Sequence, residues 1–412
     1  MSKYNVLFII VDSWNRNFVG CLNEKAREEG LTPNLDKFSE KCVTVLSAFS
    51  SGVRTSVSVL SILSGWCPCK YEDWYTSISK KRIVLSEILQ NNEYFTSGYT
   101  SNPCTSSLRN YNKGYKIFRD DNVSKMKGLK LEAMLALKTL YKNPYSSAAE
   151  INSWVRADFN RNNSPYFAQV HYMDMHGPYI SKNGWQFKNR ISATKLWNKA
   201  AGLREPLTAG ERENLISVYK DQMRYLDYHM GKLIEELDDG KTIVIITGDH
   251  GDVFGVRGYY GHPDIFCNEM INVPLFIKLP SEMNIAKRWK YPVSLMDLVP
   301  TILDVLGIRH ECQFDGQSLL PFLEGKEEHR TKPIISEISR KYLCVIRGQW
   351  KLIGNYEKSS FELYNLEEDY GESNNLVNKR LDIFEELEEA LQDHIRRNKP
   401  ESKFGFGYAA KT

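Results

Sequence analysis

The sequence has neither an excess of one charge nor a long apolar run. Its 54 basic and 51 acidic side chains leave a net charge of +3, so no chain-wide field favours nucleic acid or a membrane surface. The apolar runs are too short for a membrane span, and the N-terminus lacks a signal-peptide cleavage pattern. We therefore expect a cytoplasmic protein with no membrane span and no nucleic-acid partner. The oligomeric state is not determined by these features.

Closely spaced cysteines are also scarce. Eight cysteines are scattered along the chain, and only Cys67 and Cys69 are close neighbours. A single Cys-x-Cys pair without a second pair is a poor indication of zinc, and a reducing compartment keeps thiols free. We therefore expect free buried thiols.

Apolar β-branched runs alternate with helical patterns along most of the chain. Strands are predicted at 6–11, 94–100, 166–171, 242–247 and 273–278, and helical segments at 34–41, 83–89, 211–237 and 298–306, with one more after Thr55. This alternation indicates an α/β fold, with a mostly parallel central sheet covered by helices on both faces.

The pattern changes near residue 330. Short strands are predicted at 342–346, 350–353 and 361–365, followed by a charged helix at 380–397. We predict an α/β domain over 1–330 and a small C-terminal subdomain over 331–400, with an antiparallel sheet and a helix, packed on the first. Residues 401–412 are predicted to be a tail.

Two buried strands end in residues that bind metals. Asp12 directly follows the first strand, and Asp249 and His250 follow the strand at 242–247. Ligands in open α/β sheets bind beyond the carboxyl ends of the strands, so these side chains should meet at one edge. Two carboxylates brought together repel each other unless a divalent cation lies between them.

Thr55 is the candidate nucleophile. A loop ending at Arg54 turns into a helix at Thr55, and Gly65 is expected to end that helix. A hydroxyl at a helix N-terminus lies among unpaired N–H groups, which favour an anionic group, and a metal ion would lower its pKa. The simpler interpretation is that Thr55 only caps the helix.

Further motifs identify the chain as similar to sulfatases, within the alkaline phosphatase superfamily. They follow Asp12 in the order found in that family: 32–36, 55–65, 173–179, 247–251, 272–277, 297–303, 315–319 and 362–366. The resemblance extends from about Asn5 to Leu376 and implies an alkaline-phosphatase-like three-layer α/β/α fold. It also implies hydrolysis of an ester at a metal site.

The chain departs from the family at the nucleophile. Sulfatases resemble one another in a Cys or Ser that is converted to formylglycine, and Thr55 occupies that position here. An alternative register places Ser50 or Ser51 there. An unmodified hydroxyl is typical of the phosphatase, phosphodiesterase and phosphotransferase branches, and it shifts the expected substrate towards phosphorus. A second acidic residue often follows the first in sulfatases, and Ser13 replaces it.

The resemblance implies roles for other residues. One divalent ion (Ca, Mg, Mn or Zn) is expected on Asp12, Thr55, Asp249 and His250. Asp174, His176 and His262 could hold a second ion. In a one-metal enzyme, His176 and His262 would instead be catalytic, and Asp174 would bind substrate with Arg54 and Asn102, although Arg54 could equally pair with a structural carboxylate. His171 could support the metal ligands, whereas His229, His310, His329 and His394 are predicted at the surface.

We therefore expect a metal-dependent sulfatase-like hydrolase that cleaves a sulfate or phosphate ester, either of a small molecule or of a glycan. One alternative is a phosphodiesterase or phosphoryl-group transferase acting on a polysaccharide. A second is a non-catalytic binding descendant, which the complete metal set argues against. Substrate recognition is expected in the loops at 125–146 and 184–208.

Overall fold

A computed structural model gives the architecture. It describes residues 4–71, 77–120, 145–160, 165–179, 190–202, 204–283, 285, 287–326, 330 and 332–398. Most of the two predicted recognition loops, His329, and the predicted tail at 401–412 lie outside the described residues. Across the described part, no helix combines the length and the apolar content needed to cross a bilayer.

The main sheet has nine strands and is mostly parallel, as predicted. Its order is β10-β2-β9-β6-β1-β5-β3-β4, with β11 also paired to β2. The strands are β1 Asn5–Val11, β2 Val43–Phe49, β3 Phe95–Thr100, β4 Ile117–Arg119, β5 Tyr166–Tyr172, β6 Thr242–Gly248, β9 Asn272–Lys278, β10 Lys287–Trp289 and β11 Val293–Ser294. Only β9 runs opposite to its neighbours β2 and β6. A short hairpin, β7 Val253–Val256 and β8 Tyr259–Gly261, lies apart from this sheet.

Helices cover both faces of the sheet. They are α1 Glu24–Glu28, α2 Pro33–Ser39, α3 Thr55–Ser64, α4 Leu85–Asn91, α5 Ala148–Asp158, α6 Arg190–Trp197, α7 Ala209–Leu237, α8 Asn268–Ile271, α9 Leu298–Val305, α10 Leu320–Leu323 and α11 Leu381–Arg397. The side chains of alternate β1 residues pack in two separate cores, because successive side chains of a strand point to opposite faces of the sheet. Leu7 packs in the core that α7 completes, and Phe8 packs in the core that α3 and α9 complete. This is the three-layer arrangement that the alternating pattern predicted.

The C-terminal part forms a second, antiparallel sheet. Its order is β12-β13-β14-β15, with β12 Ile334–Ser339, β13 Tyr342–Arg347, β14 Trp350–Asn355 and β15 Ser360–Asn365. One face packs against Leu387 and Leu391 of α11. The other face packs against the larger α/β part through Cys344 and Ile353, which join Phe266 in one core. The predicted small sheet and helix are confirmed.

Some predicted elements differ from the structure. The strand at 273–278 is present as β9 but is antiparallel, so the central sheet is mixed. The strands β2 and β12 were not predicted: β2 carries the polar residues Thr44 and Ser47 within its run, and β12 carries Ser336 and Glu337. These polar residues interrupt the continuous apolar pattern by which buried strands are recognised in a sequence.

Candidate active site

The predicted metal ligands meet at the carboxyl edge of the main sheet. Strand β1 pairs in parallel with both β5 and β6, and Val11 lies opposite Gly248 in β6. Asp12 and Asp249 therefore leave neighbouring strands at the same height. His171, the penultimate residue of β5, extends the cluster on the other side of β1. All three side chains are fully buried.

Backbone N–H groups hold the Asp249 carboxylate in place. Its Oδ1 accepts hydrogen bonds from the N–H of Ser13 at 3.1 Å and from the N–H of His250 at 2.7 Å. Ser13 has a φ of 57°, the left-handed conformation that turns the chain sharply after Asp12. The other oxygen, Oδ2, is buried and has no hydrogen-bond partner among the described residues. One carboxylate oxygen is thus left for a further ligand.

Thr55 is the first residue of α3, and its hydroxyl points into the cluster. Its Oγ1 donates to Oδ2 of Asp12 at 3.0 Å and lies 3.3 Å from Nε2 of His250. Arg54, and not Thr55, occupies the N-cap position, so the simpler interpretation that Thr55 only caps the helix is wrong. The helix ends at Gly65, whose φ of 71° is the left-handed end that the sequence predicted.

The hydroxyl of Ser50, the alternative nucleophile, is hydrogen-bonded to groups outside the carboxylate cluster. Its hydroxyl donates to the carbonyl of Gly52 at 2.6 Å and lies 2.8 Å from the hydroxyl of Ser58. Ser51 lies beside it on the turn before α3, and its carbonyl accepts the N–H of Glu337 at 2.9 Å. The Ser51 hydroxyl is buried and makes no hydrogen bond to the described residues, so among the three candidate nucleophiles only Thr55 contacts a carboxylate of the cluster there. Ser13 donates its hydroxyl to the other oxygen of Asp12 at 3.0 Å.

The electrostatics of the cluster point to a missing positive charge. Burial and the nearby charge of Asp12 raise the pKa of Asp249 well above its ordinary value. Burial also opposes ionisation of Asp12, but nearby histidines, His176 foremost, lower its pKa below the ordinary range. Asp249 therefore tends to hold a proton beside an ionised Asp12. A cation between them would let both carboxylates ionise.

The donor set fits a divalent metal ion. One ligand atom each from Asp12, His171 and Asp249 lies within 4.8 Å of the others. Nδ1 of His250 donates to the carbonyl of Gly251 at 3.0 Å, which leaves Nε2 as an acceptor facing the cluster. That nitrogen lies 3.7 Å from Oδ2 of Asp249. Two carboxylates with imidazole nitrogens suit Mn, Zn and Mg as well as Ca.

Two more histidines, His176 and His262, border the cluster. Their ring centres are 4.9 Å apart, and the ring of His262 is 5.3 Å from that of His250. Nδ1 of His262 donates to Oδ1 of Asp252 at 3.0 Å, and Tyr179 donates its hydroxyl to the second oxygen of the same carboxylate. The orientation of His262 is therefore fixed through Nδ1, and Nε2 has no hydrogen-bond partner in the part of the chain that the structure describes.

The remaining predicted site residues lie around this centre. The Asn102 amide donates to Oδ2 of Asp12 at 2.9 Å, so it contacts a predicted metal ligand. Arg54 is half exposed and pairs with Asp264 through both carboxylate oxygens. Asp174 is buried in the turn after β5. Within the described residues, Asp174, His176 and His262 do not form a second cluster with the spacing of a metal site.

Two residues of the site have larger roles than the sequence suggested. His171 was predicted only as a supporting residue, yet its Nε2 lies 3.7 Å from Oδ2 of Asp12. Asp252, which orients His262, was not predicted. Its position two residues after His250, on the turn leaving β6, was the available signal.

The fold and this cluster define a member of the alkaline phosphatase superfamily. The chain belongs to the sulfatase family: the family model "Sulfatase" matches residues 4–308, and the model "N-sulphoglucosamine sulphohydrolase, C-terminal" matches residues 255–400. A delta 4,5-hexuronate-2-O-sulfatase from Bacteroides thetaiotaomicron is 33% identical over 174 residues, covering 38% of this chain and 35% of the relative. The match therefore spans about a third of that relative's length.

Solved structures support the fold over its whole length. The phosphonate monoester hydrolase of Silicibacter pomeroyi superposes with a TM-score of 0.74 at 19% identity, covering 97% of this chain and 96% of that one. A protein solved in complex with its substrate D-glucosamine-2-N,6-O-disulfate superposes with a TM-score of 0.71 at 15% identity, covering 98% and 100% of the two chains. At these identities the likeness concerns the fold alone.

Proposed function

We propose that the chain is a metal-dependent hydrolase of sulfate or phosphate esters and that Thr55 is its nucleophile. The observation that carries the proposal is the position of the Thr55 hydroxyl, 3.0 Å from Asp12 Oδ2 and 3.3 Å from His250 Nε2, at the N-terminus of a buried helix. A threonine that capped the helix would occupy the N-cap position, which Arg54 holds instead.

Asp12, His171, Asp249 and His250 would hold the metal ion. When bound, such an ion lowers the pKa of a contacting hydroxyl and polarises the ester. Because Thr55 donates its proton to Asp12, the lone pairs of Oγ1 are left for attack. The N–H groups at the start of α3 favour the negative charge of the group under attack.

The reaction would proceed by displacement. The Thr55 proton passes to Asp12 as Oγ1 forms a bond to sulfur or phosphorus and the bond to the leaving alcohol oxygen breaks. His262, protonated on both ring nitrogens and oriented by Asp252 through Nδ1, donates its Nε2 proton to that oxygen, and His176 lies close enough to assist it. Water then attacks sulfur or phosphorus as the bond to Thr55 Oγ1 breaks: one water proton passes to His262, Oγ1 takes back the proton held by Asp12, and the inorganic anion leaves.

We further propose a sugar or glycan ester as the substrate. The similarity to a hexuronate sulfatase and to a protein solved with a glucosamine disulfate as its substrate supports a sugar alcohol. The unmodified threonine keeps phosphorus esters in consideration, as does the structural likeness to a phosphonate monoester hydrolase.

Turnover of matched aryl esters would test this proposal. The purified chain is offered an aryl sulfate, phosphate monoester, phosphate diester and phosphonate, with each divalent metal restored in turn. We expect one ester class to be hydrolysed and Thr55→Ala to abolish that turnover, whereas Thr55→Ser should retain part of it. Ser56→Ala, which removes the neighbouring hydroxyl on the first turn of α3, is the matched control and should stay active. Full activity of the Thr55→Ala variant would rule out this nucleophile.

A further inference from the structure

Four buried side chains with metal-binding atoms meet far from the active-site carboxylates. They are Cys67, Cys69, Glu337 and His394, and one ligand atom from each lies within 4.8 Å of all the others. The two sulfur atoms are 3.7 Å apart, and Sγ of Cys69 is 3.1 Å from Oε1 of Glu337. The same oxygen makes a short contact with Nε2 of His394. The cluster joins three segments that are distant in sequence.

We infer that this cluster is a structural zinc site. Tetrahedral zinc with bonds of about 2.3 Å to sulfur places two thiolates about 3.7–3.8 Å apart. The two sulfur atoms of Cys67 and Cys69 already have that separation. Two thiolates, an imidazole and a carboxylate form a complete four-coordinate set, which leaves no position for a substrate. The second oxygen of Glu337 is buried without a hydrogen-bond partner among the described residues.

A buried arginine balances the charge of the site. Two thiolates and one carboxylate exceed the charge of a dication by one negative charge. The guanidinium of Arg82 is fully buried and donates to the carbonyls of Cys67, at 3.3 Å, and Pro68, at 2.9 Å. Arg82 therefore supplies the compensating positive charge next to both cysteines and fixes the backbone that carries them.

Asn398 is placed to support the ligands from outside. Its side-chain amide lies 3.3 Å from Sγ of Cys67 and 3.3 Å from Nδ1 of His394. In the structure the amide nitrogen also donates to the carbonyl of His394 at 3.0 Å. On zinc binding the amide would turn over and give up that bond, so that its nitrogen donates to the thiolate and its oxygen accepts the Nδ1 proton of the histidine. Zinc on Nε2 requires that proton on Nδ1, and metal-bound histidines commonly donate it to such a partner.

The site would fasten the C-terminal sheet and helix to the nucleophile helix. Cys67 and Cys69 follow the end of α3, whereas Glu337 lies on β12 and His394 on α11. The N–H of Glu337 also donates to the carbonyl of Ser51, on the turn before α3. Zinc at this point would therefore tie both ends of α3, the helix that begins with Thr55, to the C-terminal part.

Metal analysis of the full chain tests the inference. This experiment measures bound zinc and not activity, so its outcome does not depend on the proposed function. We expect purified wild type to carry about one thiol-bound zinc per chain, and Cys67→Ser and Cys69→Ser to lose it. Cys42→Ser, at a buried cysteine outside the cluster, and Asp249→Asn, in the active site, should keep it. Equal zinc content in wild type and both ligand variants would overturn the inference.

Spectroscopy of wild type covers the case in which the ligand variants fail to fold. Zinc-edge X-ray absorption should show two sulfur neighbours at about 2.3 Å together with nitrogen and oxygen neighbours. Protein refolded with cobalt in place of zinc should show thiolate-to-cobalt charge-transfer absorption. Wild type with only nitrogen and oxygen neighbours, or without that absorption, would refute the site.

Discussion

The side-chain amide of Asn102 donates a hydrogen bond of 2.9 Å to Oδ2 of Asp12. The same oxygen accepts the Thr55 hydroxyl, so one carboxylate atom is bound by two side chains. Asn102 is itself held, because its Oδ1 accepts the N–H of Cys104 at 2.7 Å. The amide therefore fixes the carboxylate that holds the hydroxyl of Thr55, the proposed nucleophile.

We expect Asn102→Ala to weaken metal affinity and reduce kcat by about 10- to 100-fold, the usual cost of losing a group that orients a metal ligand. Metal titration followed by calorimetry, together with steady-state kinetics, measures both effects. Asn92→Ala, an exposed asparagine after α4, is the control. A variant with a raised KM and unchanged metal affinity would mean that Asn102 binds substrate, as the sequence suggested.

The Asp252 carboxylate should control the proton on His262. Asp252→Asn keeps the shape of the side chain but removes the charge that orients the imidazole through Nδ1. General acid catalysis contributes about 10²- to 10⁴-fold, and we expect kcat to fall within that range. The loss should be smaller for a substrate whose leaving alcohol is acidic, because such a group needs no proton. An equal loss for good and poor leaving groups would contradict this role.

Most of the fold and the centre of the site could be predicted because both depend on local patterns. The runs at 6–11 and 243–246 are apolar at every position; Asp12 directly follows the first, and Asp249 follows the second after Thr247 and Gly248. The rule that ligands bind beyond the carboxyl ends of parallel strands then brings Asp12 and Asp249 together. The structure confirms this convergence.

Long-range pairings could not be predicted in the same way. His394 was predicted at the surface, and this is wrong: it is buried and contacts Glu337. It continues the apolar stripe of Leu387 and Leu391 on α11, which was the available signal. Cys67 and Cys69 are free and buried, as predicted, but the approach of Glu337 to Cys69 from more than 260 positions away could not be predicted. No spacing rule relates such segments.

Arg54 provides a test of substrate binding. It now pairs with Asp264 and is half exposed, so an incoming anion could compete for its guanidinium. We expect Arg54→Ala to raise KM about tenfold with a smaller change in kcat, and Asp264→Ala to leave KM unchanged or lower. Kinetics and melting temperatures of both variants decide the matter. Equal losses of melting temperature with unchanged KM would assign the pair a structural role.

The pKa of His171 gives a stability prediction with a definite sign. Burial lowers this pKa from 6.5 to about 4, so the folded protein keeps His171 neutral while the unfolded chain takes up a proton. The free energy of unfolding should therefore fall by about 2–3 kcal/mol as the pH drops from 6.5 towards 4, because protonation of His171 favours the unfolded chain. Urea unfolding of chelator-treated wild type and His171→Gln, at pH 7 and 4.5, should show a smaller loss in the variant. Identical losses would contradict the prediction.

A buried ion pair joins the C-terminal sheet to Asn268, the first residue of α8. Lys351 on β14 and Glu372 are both almost fully buried and contact each other directly. Burial disfavours the charge on Lys351, but the neighbouring Glu372 raises the pKa of the lysine and keeps it ionised. The second Glu372 oxygen accepts the N–H of Asn268 at 3.1 Å.

Removing one member of this pair should cost far more than removing both. Lys351→Met leaves an uncompensated buried carboxylate, and we expect a loss of about 3–5 kcal/mol in urea unfolding. Adding Glu372→Gln removes that charge and should restore most of the stability. The exposed pair of Arg380 and Asp382 is the control, and Arg380→Met should change the free energy of unfolding much less than Lys351→Met does. A double variant no more stable than Lys351→Met would show that packing, and not the unpaired charge, dominates at this interface.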